Sequence, residues 1–450
     1  MATDTFNPPK ARVLRSPWFK FITVAAITVA MAIPLMFIQF TLSDREQTAA
    51  GATQDIAAGW GSTQTLAGPV LLLPYTTTDQ ETVNGANVGI DTTHRHVAVL
   101  LPEDLAVKAS TSEGTRARGI FQVPVYRANI LMHATFDKAA MAALLPTDAK
   151  PLWAEASLSL IVSDAHGLAD NVVLVVNGKP LSAVPGSGLS NSTGVQVPLA
   201  LAGPANLTLD TNFLLRGSRE FSIAPLGRRT TASIDSTWAS PSFFGTFLPT
   251  DRKVDANGFT ASWIVPYLAR GFGQSFENSD QLAQLLRAPA FGARFYQPVD
   301  HYQLVERALK YAILFIALAF LVFFVVETVS PRQLHVVHYA LVGAAQALFY
   351  LLLLSFSEHI GFAAAYLVAA GATVVLTTLY AVSALADTLR AGLLGAVLTG
   401  LYGLLYVILN AEDYALLIGS SLLFGALAAT MYVTRKVDWF QLTGREVAAA

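Results

Sequence analysis

Apolar residues gather in two zones of the chain, and between the zones they alternate with polar ones. The first zone, Phe21 to Leu42, carries no charge and has about the 20 residues that a helix needs to cross a hydrocarbon core. Pro34 inside it lacks an amide hydrogen and predicts a mild kink. The second zone begins at Tyr311 and divides into five runs by the same length criterion, near 311–328, 337–355, 361–381, 391–409 and 415–433. In the middle, Asn206 to Phe213 alternates with period two, the pattern of a strand buried on one face. Val70 to Tyr75, His96 to Leu101, Phe121 to Phe136, Ser157 to Val162 and Gly194 to Leu199 are further predicted strands. Asn177-Gly178 after Val172 to Val176 predicts a two-residue hairpin turn. A short helix is expected from Asp280 to Leu286 with Ser279 as its cap, and Tyr302 to Lys310 leads into the second zone.

These elements predict a membrane protein of the α+β class with one N-terminal transmembrane helix, a large mainly-β extracytoplasmic domain and a C-terminal bundle of about five transmembrane helices. The expected division is 1–20 cytoplasmic, 21–42 transmembrane, 43–306 the β domain, 307–434 the five-helix bundle and 435–450 a cytoplasmic tail. A sandwich or a pair of smaller β-domains both fit the middle region. Arg332, Arg390, Arg435, Lys436 and Arg445 fall on the side of the basic N-terminus, whereas Ser357-Glu358-His359 and Asn410 to Asp413 contain no Lys or Arg. Positive charge is retained on the cytoplasmic side, so both termini are expected there. The basic residues Lys10, Arg12, Arg15 and Lys20 resemble the start of a signal peptide. The apolar run is longer than a cleaved h-region, however, and Ser43-Asp44-Arg45-Glu46 replaces a small-residue cleavage site, which predicts an uncleaved anchor.

Composition supports lipid as the solvent. Hydrophobic residues make up 53% and charged residues 13% of the 450-residue chain, against about 25% charged in soluble domains. The net charge of -2 and the lack of a basic run exclude nucleic acid as an expected partner. With no cysteine, disulfides, thiolate metal sites and cysteine nucleophiles are excluded.

Candidate chemistry is sparse. His94 and His96 would face one way on a strand, but a third metal ligand is not identifiable and Arg95 lies between them. His335 and His338 are expected on one helix face near the cytoplasmic surface, and Glu358 with His359 as a proton-responsive pair in an outer connector. Glu327 and Asp387 stand near cytoplasmic ends of spans, leaving Gln346 as the strongly polar side chain well inside one, where an interhelical hydrogen bond is the expected role. Asp164 and His166 are close in sequence, and Ser187 lies between Gly186 and Gly188, but no nucleophile elbow, zinc helix or phosphate loop is present. Neither catalysis nor a cofactor is expected. Gly392, Ala396 and Gly400 repeat at four-residue spacing, as do Ser421 and Gly425; these small faces are expected to pack helices together within the bundle.

Trp238 to Pro249, with the sequence WASPSFFGTFLP, resembles the CreD family of bacterial inner-membrane proteins. The resemblance extends through Asp300 to Leu304, Arg307 to Leu314, Phe324 to Thr328, Tyr350 to Leu354, Ser357-Glu358-His359 and Val437-Asp438-Trp439, and opens at Leu14 to Trp18. It departs from the family pattern in an extension before Leu14 and a tail that stops soon after Trp439. The resemblance implies a bacterial inner-membrane location, a periplasmic outer domain, a role in cell envelope integrity and expression tied to a two-component sensor kinase and response regulator. It implies no reaction, substrate or catalytic residue. The expected function is non-enzymatic envelope maintenance, with membrane lipid around the bundle and another envelope component contacting the outer domain. Transport or lipid handling through the bundle is the alternative, and an extracytoplasmic hydrolase a third.

Overall fold

The computed structural model describes residues 17–82, 89–190, 192–277, 290–295, 301–328, 334–411 and 414–435. The helix expected at 280–286 with its Ser279 cap lies outside them, as do Leu14, Asp300, Arg332, Glu412, Asp413, Lys436, Arg445 and the 437–439 motif. The chain forms two compact units: Met1–Thr48 with Val299–Ala450, and Ala49–Pro298.

The second unit holds two sheets. A ten-stranded sheet contains β1 (Gln64–Thr82), β2 (Gly89–Leu100), β5 (Lys150–Pro151), β6 (Ser157–Val162), β9 (Val184–Pro185), β10 (Gly194–Pro198), β12 (Glu220–Ile223), β14 (Pro241–Gly245), β17 (Ser275–Phe276) and β18 (Phe291–Phe295). An eight-stranded sheet contains β3 (Asp104–Arg118), β4 (Phe121–Phe136), β7 (Val173–Val176), β8 (Lys179–Ser182), β11 (Leu207–Ser218), β13 (Arg229–Ser236), β15 (Asp251–Asp255) and β16 (Gly258–Pro266), in the order β15-β16-β13-β3-β4-β11-β7-β8. Both sheets contribute to one continuous hydrophobic core, which selects a sandwich over two separate β-domains.

Burial follows the sequence pattern. β1 is buried without interruption from Leu66 to Tyr75, as a near-continuous apolar run in a sheet covered on both faces should be. β11 instead alternates buried and exposed positions, so the eight-stranded sheet presents one face to the core and leaves the other open. The Asn177-Gly178 turn has φ of 48° and 80° at its two residues; both are left-handed, as a tight hairpin of matching twist requires. The Trp238 to Pro249 segment is an aromatic wedge: Phe243 meets Phe259 at 5.5 Å and Trp263 at 6.0 Å, and Phe247 meets Phe291 at 6.2 Å. Trp263 and Phe291 are fully buried, each contributing about 1.5–3 kcal/mol by removal of apolar surface from water.

The first unit is helical: α1 (Pro17–Ala30), α2 (Ala32–Trp60, of which the part to Thr48 belongs here), α3 (His301–Thr328), α4 (Val336–Ile360), α5 (Phe362–Leu385), α6 (Thr388–Asn410) and α7 (Ala415–Thr434). Pro34 offers no amide to the Ala30 carbonyl, and the helix breaks into a turn at Met31 before resuming with Leu35 N–H bonded to Met31 at 3.3 Å. Among the described residues five helices are long and apolar enough to cross a membrane, from Lys20–Trp60 to Thr388–Asn410, and α7 is shorter and apolar throughout its described part. The expected edges at 42 and 307 fall inside continuous helices, because polar residues such as Asp44 to Glu46 continue a helix as readily as apolar ones. Apolar length measures the lipid-crossing segment and not the helix.

The small-residue faces are placed differently from expectation. Gly392, Ala396 and Gly400 on α6, and Ser421 and Gly425 on α7, point away from the chain's own bundle and are exposed. A side chain added at any of the four glycine positions among Gly392, Gly400, Gly403 and Gly425 would meet nothing within 4 Å. The packed face of α6 is Ala391, Leu394, Gly395, Leu398 and Tyr402, and a Cβ on Gly395 would lie 2.5 Å from Thr378 Oγ1. A four-residue repeat marks a helix face without saying which neighbour it meets.

Candidate functional site

The open face of the eight-stranded sheet is built by strand parity. Ser112 pairs with Arg127 across β3 and β4, and Arg127 pairs with Arg216 across β4 and β11. Alternate residues share a face, so Arg127, Arg216 and, four places beyond Ser112, Arg116 converge. At their centre stands Trp60, the last residue of α2. The Arg116, Arg127 and Arg216 guanidinium carbons lie 4.4, 5.2 and 5.2 Å from the indole centroid, within cation–π range. The indole N–H points to the Tyr126 carbonyl at 3.4 Å, and Arg118 pairs with Asp55 of α2 at 2.7 Å. Glu113 is turned to the hydroxyls of Thr111 and Ser236, each at 2.5 Å, and of Thr237. Among the described residues no carboxylate pairs with Arg116, Arg127 or Arg216, and Arg216 Nε is buried without a hydrogen-bond partner. Further along the same face, His133 Nδ1 meets Asp210 at 2.8 Å beside Lys108, Leu131 and Asn212.

Beneath this corner, the buried Gln64 amide donates to the Asp164 carbonyl at 2.9 Å and the Arg216 carbonyl at 3.1 Å. Asp164 accepts from the amides of Ser62 at 2.9 Å and His166 at 3.0 Å, and meets His166 Nδ1 at 3.0 Å. Burial raises the Asp164 pKa, but these hydrogen bonds more than offset it and hold the carboxyl below its usual range. Asp164 is the cap of the short turn Ala165–Gly167, and no serine hydroxyl is bonded to His166 among the described residues. The pair is a loop anchor. Ser187 is buried and bonded to the carbonyls of Leu189 and Ser192 at 3.3 and 2.9 Å, which withdraws it as a nucleophile.

The histidines singled out by the sequence have local roles. His94 and His96 stand 6.5 Å apart on β2, His96 beside Tyr75 and bonded to Thr77 at 3.2 Å; no third His, Asp or Glu joins them among the described residues. His335 and His338 do not share a helix face: His335 caps α4 through the Val337 amide at 3.3 Å, and His338 reaches Tyr380 of α5 at 2.6 Å. His359 turns to the Ser355 carbonyl at 3.1 Å. Glu358 does not pair with it; its side chain is buried, accepts from the Tyr302 hydroxyl at 2.9 Å and faces Arg45 at 3.7 Å.

The helical unit therefore carries buried carboxylates at both ends. At the other end, Glu327 is salt-bridged to Lys20, accepts from Tyr339 at 2.8 Å and from the Leu334 amide at 2.7 Å, and Lys20 also donates to the Leu334 carbonyl at 2.7 Å. Between Lys20 and Arg45 a helix rises about 37 Å at about 1.5 Å per residue, close to the membrane core with its interfaces. Asp387 caps α6 through the amides of Leu389 and Arg390 at 3.0 and 3.1 Å. Gln346 is buried at mid-span, and its Nε2, like Thr377 Oγ1 and Thr378 Oγ1, has no hydrogen-bond partner; the expected interhelical bond from that nitrogen is not made. Because α4 and α5 form a hairpin at Gly361, Gln346 and Thr377 lie at similar depth.

Trp60 and its arginines escape sequence reasoning. Arg116 and Arg127 are exposed and Arg216 half-buried, and what brings them together is a register between strands that are far apart in sequence. The only local signal is the Arg116-Ala117-Arg118 alternation.

A family model described as Inner membrane protein CreD matches residues 16–440 of the chain. The Inner membrane protein CreD of Escherichia coli (strain K12) is 33% identical over 435 residues, covering 95% of each chain.

Proposed function

The chain belongs to the CreD family of inner membrane proteins, and from that premise we propose that it maintains envelope integrity without catalysis, through recognition by its β unit. It is a multi-pass inner-membrane protein. The observation that carries the recognition reading is the open face of the eight-stranded sheet: β3, β4 and β11 alternate buried and exposed positions and leave polar and basic side chains outward, a charged face that suits an acidic partner by electrostatic complementarity. The retention of positive charge on the cytoplasmic side supports cytoplasmic termini and a periplasmic β unit, with Arg390 and Arg435 at the ends opposite Ser357-Glu358-His359.

The full chain in lipid nanodiscs, presented with purified peptidoglycan sacculi, lipopolysaccharide and an envelope-protein extract, is expected to retain one component. The doubly substituted Leu131→Glu/Asn212→Glu chain, altered at two outward positions, is expected to lose at least about tenfold of that retention by repulsion and desolvation at the interface. No retention by the folded chain would remove the recognition reading. Retention untouched by the double substitution would move the contact off this face.

A second reading, transport or lipid handling through the bundle, draws on the three unpartnered polar atoms at Gln346, Thr377 and Thr378. Idle, the Gln346 donor is a cost of about 1–3 kcal/mol. Gln346→Leu is therefore expected to raise the stability of the helical unit in micelles by about 1 kcal/mol with envelope function intact. A variant that is stably folded but inactive would favour the second reading.

A further inference from the structure

We propose that Arg116, Arg127 and Arg216, grouped around Trp60, form a binding site for a phosphate group. The inference deepens the recognition reading by naming a ligand class for one corner of the open face. Arg127 and Arg216 are direct cross-strand partners, and like charges placed opposite each other on neighbouring strands repel. A sheet selected for stability alone would place a carboxylate or a neutral residue at one of these positions. Among the described residues, Glu113 is engaged by three hydroxyls, Asp55 by Arg118, and Asp164 by the amides of Ser62 and His166.

The indole relieves part of the repulsion, since its π-face attracts each guanidinium, and it holds the three groups at 4.4 to 5.2 Å from one point. It cannot neutralise them. The outer guanidinium N–H donors are left to water or to an anion, while the buried Nε of Arg216 has no hydrogen-bond partner and faces neither. A guanidinium is a planar fork that binds oxyanions through two parallel hydrogen bonds. Three guanidinium groups within 4.4 to 5.2 Å of one indole offer more donors than the two oxygens of a carboxylate can accept, and a phosphate, with more oxygens and more charge, suits them better. The register of β3, β4 and β11 fixes the spacing of the three forks before any ligand arrives, so little ordering is required on binding.

The test uses the full chain in a phosphate-free maltoside detergent, titrated calorimetrically with inorganic phosphate and with short-chain dihexanoyl phosphatidylglycerol. Saturable binding of at least one probe is expected, weakening as sodium chloride is raised. Arg127→Gln and Arg216→Gln are each expected to lose at least about tenfold in affinity, as removal of a charge-assisted hydrogen bond implies. Arg95→Gln, whose residue pairs with Glu155 elsewhere in the unit, is the control that should bind as the parent does. Without phosphate the two corner variants should melt at or slightly above the parent temperature, since substitution relieves repulsion. Binding of both probes identifies a phosphate group from any source, binding of the lipid alone a lipid headgroup, and binding of inorganic phosphate alone a non-lipid phosphoryl group. The proposal is overturned if neither probe binds, if the corner variants bind as the parent does, or if they melt well below it without ligand, which would make the arginines a structural clamp on Trp60. Phosphate binding with no envelope component retained would leave this site standing while the recognition reading fell, and retention without phosphate binding would do the reverse.

Discussion

Glu327→Ala is expected to destabilise the helical unit by about 3–5 kcal/mol, the range for removing one partner of a buried ion pair. The side chain of Glu327 is 6% exposed and holds together three parts of the chain: Lys20 on α1, the Leu334 amide just before α4, and the Tyr339 hydroxyl on α4. Without the carboxylate, the Lys20 ammonium keeps only the Leu334 carbonyl, at 2.7 Å, among the described residues, and a partly buried cation with one neutral acceptor is costly. The measurement is unfolding of the purified chain in mixed micelles by increasing fractions of denaturing detergent. The double variant Lys20→Met/Glu327→Leu should recover most of the loss, because a buried pair replaced by apolar side chains of similar size is often neutral. A single-variant loss below about 1 kcal/mol would place the pair in water and class it with exposed ion pairs. The contact of Glu358 with Arg45 is of that weaker kind, at 3.7 Å with Arg45 half exposed; there the Tyr302 hydroxyl is the firmer partner.

In the β unit the largest effect is expected at Arg270. This side chain is buried, at the end of the short helix Tyr267–Arg270. It donates to the carbonyls of Leu226, Gly227 and Gly273 and to the Gln274 side chain, the second and third at 3.3 and 3.2 Å. Gln274 then donates to the carbonyls of Leu101 and Pro102 at 2.8 and 2.6 Å. One guanidinium thus ties the loop after β12 to the start of β3 and to β17. Its face also lies 4.6 Å from Phe272 and 5.0 Å from Tyr267. Burial lowers its pKa to about 10, so the group stays charged at neutral pH, with both Nη nitrogens donating and Nε buried without a partner. Arg270→Ala orphans several carbonyls at once and is expected to cost about 3 kcal/mol or more, read as a fall in the melting temperature followed by near-UV circular dichroism. Arg270→Lys should recover little, since an ammonium lacks the planar fork that reaches carbonyls on separate segments. Full recovery by lysine would show that charge, and not the fork, holds the loops.

Much of the architecture can be read along the chain. Phe121 to Phe136 and Ser157 to Val162 are strands to the residue, the Asn177-Gly178 turn has the left-handed geometry its composition demands, and the apolar runs coincide with helices. These features are local: side-chain periodicity and backbone freedom are set by neighbours in sequence. β3, β13 and β16 are not among the strands read from the sequence. β3 ends in a polar half, Ser110 to Arg118, whose strand character comes from pairing with β4 along its whole length, and pairing is not a local property.

The site residues separate along the same line. That this is a lipid-embedded protein with a β-rich insert follows from the chain alone, because transfer of apolar and polar groups between water and hydrocarbon depends on composition along a segment and on little else. The partners of the polar groups follow from the three-dimensional arrangement. It turned Glu358 from His359 to Tyr302, engaged Glu327 with Lys20 some 300 positions away, directed Gly392, Ala396 and Gly400 outward and Gly395 inward, and gathered Arg116, Arg127 and Arg216 around Trp60. Hydrogen bonds and charge pairs act over a few ångströms and require particular geometry, and such distances exist only once strand register and helix packing have brought remote segments together.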